Sequence, residues 1–95
     1  MRKEGFMAVH SHTFVEEYEG LVGFGMDRTT DENTLIYYLQ KFSDDEMMNI
    51  MKSRLSEEDM DELFNLICRL LKKYLKDDEY HEYFLKDSDE SLMSV

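Results

Sequence analysis

Between Glu57 and Lys76, the residues Met60, Leu63, Phe64, Leu66, Ile67, Cys68, Leu70, Leu71, Tyr74 and Leu75 recur at i, i+3, i+4 and i+7. That is the spacing of one amphipathic helix. Turning each residue by roughly 100° puts these side chains on an arc of about 200°. Asp61, Glu62, Asn65, Arg69, Lys72, Lys73 and Lys76 occupy the remainder. A surface helix needs an apolar stripe of only about 100°, so an arc this wide predicts neighbours on two or three sides. The expected architecture is all-α: a compact four- to five-helix bundle around this long central helix. Ile67 falls at the middle of the arc, with Leu63, Phe64, Leu70 and Leu71 beside it. These five are the predicted core, and Ile67→Asp is expected to unfold the domain.

The other helices are read from their starts. Ser11 or Thr13 is placed to cap a first helix carrying Phe14, Val15, Tyr18, Leu21 and Val22, which ends near Gly23. Thr29 with Glu32 forms a capping-box pattern that opens a second helix, running to about Lys41, with Leu35, Ile36, Tyr38, Leu39 and Phe42 as its inner face. Ser43 with Glu46 repeats the pattern for a third helix carrying Met47, Ile50, Met51 and Leu55, with Met48 at its margin. Ser56 followed by three acids starts the long helix, and Asp77-Asp78-Glu79 starts a last one that holds Tyr80, Tyr83 and Phe84. No run alternates with period two for long enough to make a strand. The expected organisation is an N-terminal arm over 1–10, a single helical domain over 11–86 and a disordered acidic tail over 87–95.

At 95 residues with 42% hydrophobic content, the chain suits one small packed domain rather than a disordered one. A domain of this size buries only about 60–70% of its unfolded surface, so a core shared with a second copy would add stability. Twenty-two acidic against 11 basic side chains give a formal net charge of −11, which repels nucleic acid. The one basic cluster, Arg69, Lys72, Lys73 and Lys76, lies near a helix C-terminus, where it complements the macrodipole. A single cysteine excludes an internal disulfide, and Cys68 within the apolar arc reads as an inert thiol. No apolar run reaches the ~18 residues that suggest a membrane span, and the first residues lack a signal-peptide core. A cytoplasmic protein with neither nucleic acid nor membrane as partner is expected.

The segments Ser11-His12-Thr13-Phe14-Val15-Glu16-Glu17-Tyr18-Glu19-Gly20-Leu21-Val22-Gly23-Phe24-Gly25 and Asp31-Glu32-Asn33-Thr34-Leu35-Ile36-Tyr37-Tyr38-Leu39-Gln40-Lys41-Phe42 resemble small bacterial proteins described only as cytoplasmic. The resemblance runs from about Met7 to Asp87 and carries no activity, ligand or catalytic residue. It implies that Met7 is an alternative start, with Met1 to Phe6 an extension.

Candidate chemistry is sparse. His10, His12 and Glu16 form the most site-like group, because His and Glu four apart on a helix can share a transition metal. His81, three residues after Asp78, resembles one carboxylate-histidine half of a di-iron bundle, but no second half exists. Asp27, Thr29, Asp31 and Asn33 alternate like calcium-loop ligands, yet Glu32 holds the glycine position and Tyr38 the last one. Gly20-x-x-Gly23-x-Gly25 follows a helix rather than a strand, which makes it a turn and not a phosphate cradle. No serine sits in a nucleophile elbow. Tyr37 falls about 100° or more from the apolar face of the second helix. With Phe24 and Met48, it is therefore the candidate interaction residue. These features predict an interaction or adaptor module, self-associating and without catalytic activity or cofactor. A metal-binding helical protein using His10, His12 and Glu16 is the alternative.

Overall fold

Local capping chemistry decides where the three longest helices begin in the structure, a computed structural model that describes residues 9–87. Among the described residues five α-helices follow in order: α1 (Thr13–Glu17), α2 (Arg28–Phe42), α3 (Asp45–Met51), α4 (Glu57–Tyr74) and α5 (Asp77–Glu79). The last continues without a break as a π-helical stretch, Tyr80–Leu85. No strand occurs among the described residues. Of the expected arm only Val9 and His10, and of the expected tail only Asp87, fall within them. The chain divides between Arg54 and Leu55 into two compact units.

In the first unit, α1 packs on α2, and α2 on α3. α2 is capped by Asp27, whose carboxylate accepts from the Thr30 N–H at 2.9 Å and from the Thr30 hydroxyl at 3.0 Å. The cap expected at Thr29 thus lies two residues earlier, because a carboxylate is the stronger acceptor for the first-turn amides. Likewise α3 is capped by Asp44, not Ser43. α1 stops at Glu17, several residues short of the expected end, as Tyr18 turns to extended backbone. The Tyr18 hydroxyl then donates to the Leu21 carbonyl at 2.8 Å, and its ring fills the space where a Cβ on Gly20 would stand. Gly25 adopts φ +88°, open to glycine at little cost.

The face of α2 that turns inward differs from the expected one. Thr34 is 3% exposed and Tyr37 half-buried, whereas Leu35, Ile36, Tyr38 and Leu39 lie outside and, of the expected face, Phe42 alone is half-buried. Hydrogen bonding sets this phase. The Thr34 hydroxyl donates to the Gly23 carbonyl at 3.0 Å and accepts from the Gly23 N–H at 2.9 Å. Gln40 Oε1 accepts from the Val15 N–H at 2.9 Å. Both residues tie the short α1 and its following loop to one stripe of α2. Thr34→Val keeps the shape but strands both Gly23 backbone groups, so it is expected to cost roughly 2 kcal/mol. A thermal melt unchanged from wild type would contradict that role.

In the second unit, Ser56 caps α4 as expected, its hydroxyl accepting from the Asp59 N–H at 3.0 Å. Glu79 accepts from the Lys76 N–H at 2.8 Å to open α5. Tyr80 and Phe84 stack at 5.5 Å. The left-handed Lys86 (φ 57°) ends the π-helical stretch, and the Asp87 N–H donates to the His81 carbonyl at 3.0 Å. The predicted core of α4 is not buried: Phe64 is 66% and Ile67 42% exposed, Leu70 is exposed, and Leu63 and Leu71 are half-buried. Periodicity locates an apolar face but does not supply the surface that covers it.

Candidate functional site

His10 and Glu16 meet, as their candidate role requires. Glu16 Oε2 accepts from the His10 backbone N–H and contacts its Nδ1, both at 2.6 Å. Lys41 Nζ lies 3.0 Å from His10 Nε2. An ammonium only donates, so Nε2 is the acceptor and the ring proton sits on Nδ1, facing Glu16. Both nitrogens are thereby occupied. His12 points elsewhere, with Nε2 3.0 Å from the Ser43 hydroxyl. Among the described residues no three His, Cys, Asp or Glu side chains converge as a metal site.

Next to it, Ser11 fastens the same strand of backbone to the α2–α3 turn. Its N–H and hydroxyl donate to Asp44 Oδ1 at 2.6 and 3.1 Å, and the Asp45 N–H donates back to the Ser11 hydroxyl at 3.1 Å. Residues 10–12 therefore form a polar strap across the first unit. The Ser11 backbone bond, foremost, holds the Asp44 carboxyl below its ordinary value, and the His10 side-chain bond does the same for Glu16. Because these pKa values are depressed on folding, the strap contributes stability above the ordinary carboxylate range. That contribution is lost as pH falls from about 4 through the lowered values. Asp44→Ala is expected to lower the melting temperature at neutral pH and to flatten the acid-side decline; melts recorded across pH check both.

The remaining candidates are held by neighbours. Asp31 Oδ1 accepts from the Gly25 and Met26 N–H groups at 2.8 and 3.1 Å, and Asp27 caps α2, so these carboxylates organise the glycine loop. His81 Nδ1 lies 2.9 Å from Asp87 Oδ1, which raises the histidine pKa; its partner is Asp87, not the earlier Asp78. Tyr37 stands between the Tyr18 ring, at 6.0 Å, and Lys41 Nζ, at 5.2 Å from its centroid. Phe14 stacks on Tyr18 at 5.1 Å, which makes Tyr37 one end of an aromatic row. Met48 is half-buried. Phe24, by contrast, is 71% exposed.

Phe24 rims a shallow hollow of about 300 Å³ with Gly23, Thr34, Leu35 and Tyr38. Leu35 and Tyr38, 52% and 64% exposed, continue onto Ile36 and Leu39 along the outer side of α2. Sequence reasoning had assigned these α2 residues to the core. Their exposure was hidden in the sequence because a polar stripe, Thr34 and Gln40, takes the inward position. A second hollow, about 340 Å³, lies in the second unit among Cys68, Leu71, Leu75 and Tyr80. Of the large apolar residues described, Val15 alone is buried. In comparisons with protein families, curated proteins and solved structures, none matches this chain.

Proposed function

We propose that this chain is a small acidic cytoplasmic interaction module that self-associates and binds other protein through apolar surface, with no catalytic activity of its own. The observation that carries the reading is the apolar surface left uncovered: the outer side of α2 with Phe24, and the face of α4. Contiguous apolar patches beyond a few hundred Å² mark interaction surfaces. Burying one such leucine or phenylalanine side chain is worth roughly 1.5–3 kcal/mol. Tyr38 and Leu35 join Phe24 in the contact role that the sequence pattern gave to Tyr37, Met48 and Phe24. The net charge of −11 favours protein over nucleic acid as partner. Among the described residues no helix is long and apolar enough to cross a membrane.

Light scattering on untagged protein is expected to give a mass above the 11.4 kDa of one chain, rising with concentration. A constant monomer would remove self-association. Native lysate probed with wild type and Tyr38→Glu as paired baits then tests the α2 surface, with Tyr37→Glu as a control for damage to the aromatic row. The metal-binding alternative requires His12 to leave Ser43 and Lys41 to release His10 Nε2. Stoichiometric transition metal in untagged protein, lost in His12→Ala, would favour it.

A further inference from the structure

We infer that two copies of this chain pair through α4, antiparallel, about a two-fold axis crossing the helix between Asn65 and Leu66. The inference rests on the self-association proposed above and names its surface and geometry. Met60, Phe64, Ile67, Leu71 and Tyr74 alternate at steps of four and three residues, the a/d spacing of a helix-helix seam. All but the half-buried Leu71 are exposed. A seam of this spacing, running along an 18-residue helix, is a template for another helix.

Charge order selects which helix and which direction. From Glu57 to Asn65, α4 carries Glu57, Glu58, Asp59, Asp61 and Glu62 and no basic residue; from Leu66 to Tyr74 it carries Arg69, Lys72 and Lys73 and no acid. A parallel copy would set acid against acid along one half and base against base along the other. An antiparallel copy reverses the order and sets each half against its complement. Around the same centre, Phe64 meets Ile67 of the second copy, and Met60 meets Leu71 of the second copy. On the helical wheel Asp59 and Lys73 lie on one flank of the seam, Asp61 and Lys72 on the other. In an antiparallel pair like flanks adjoin, so outside the apolar border of Leu63, Cys68 and Leu70 each flank sets acid toward base. The four inner seam residues Met60, Phe64, Ile67 and Leu71 and the charge order thus share one symmetry centre, with Tyr74 at the seam's end facing Glu57 of the second copy, and an isologous two-fold contact requires that self-complementarity.

The test uses three full-length proteins: wild type, the acid-reversed variant Asp59→Lys/Asp61→Lys, and the base-reversed variant Lys72→Glu/Lys73→Glu. Sedimentation equilibrium at low salt is expected to show wild-type dimers, at least tenfold weaker association for each variant alone, and recovery when the two variants are mixed. Recovery on mixing also shows that neither variant has lost its fold. Wild-type association with both variants equally strong would overturn the α4 pairing while leaving self-association standing, and so would a mixture that stays weak. A wild type that is monomeric at every concentration would overturn both.

Discussion

Val15→Asp is expected to unfold the first unit, the largest stability loss of any single substitution in it. Val15 is 5% exposed on α1, which packs on α2, and its backbone N–H is spent on Gln40 Oε1 of α2. Across this contact the structure sets Phe14 stacked on Tyr18, Tyr18 against Tyr37, and the Gln40 amide, while the neighbouring Glu16 carboxylate is engaged by His10. The one nearby ammonium, Lys41, is engaged by His10 and by the Tyr37 ring. A carboxylate placed there is desolvated without a partner, which costs about 4 kcal/mol or more. Small domains are stable by only about 5–15 kcal/mol, and a unit with so little buried apolar surface belongs at the lower end. Val15→Ala, which removes volume but adds no charge, should cost a fraction of this. Hydrogen exchange at the Gly23 and Ser43 amides, both bonded in the folded unit, reads the loss directly. Protection retained in Val15→Asp would mean that the α1–α2 contact does not hold the unit together.

Patterns closed within a few residues were legible in the sequence. Ser56 as a cap, the start of α4 at Glu57 and the acidic start of α5 depend on spacing of three or four, and the structure has them, with α4 ending at Tyr74, two residues before Lys76. Caps offering two neighbouring choices went to the carboxylate, Asp27 over Thr29 and Asp44 over Ser43. What failed was the phase of α2. Leu35, Ile36, Tyr38 and Leu39 share a face, and hydrophobic periodicity assigns that face to a core. In the structure Thr34 wins the inward position, because the glycine loop brings the Gly23 backbone groups to its hydroxyl, and unpaired buried backbone is costly. One signal was available. Thr34, Tyr37 and Lys41 stand at i, i+3 and i+7, so the supposedly outlying Tyr37 was the middle of a second stripe. At the candidate metal group, the spacing of four joined His12 to Glu16, whereas the structure brings His10 to Glu16 instead; the turn of His12 onto Ser43 depends on a residue 31 positions away, beyond any local pattern.

Ile67→Asp separates the two meanings that a central apolar position can have. Its place at the middle of the α4 arc predicts unfolding from the sequence, yet Ile67 is 42% exposed in the structure, where a carboxylate stays in contact with water. In a single copy the substitution should cost only the difference in helix propensity and part of the side chain's burial, within about 1 kcal/mol. In the proposed antiparallel pair, Ile67 meets Phe64 of the second copy beside the two-fold axis. One substitution therefore puts two carboxylates into the desolvated centre, where interface energies concentrate. Association is expected to fall by at least 100-fold, roughly 2.7 kcal/mol. Circular dichroism of dilute protein should keep its helical signal, while sedimentation equilibrium shows a monomer where wild type is dimeric. Loss of the helical signal in dilute protein would instead show that Ile67 is covered within one copy, and would return α4 to the core role its periodicity suggested.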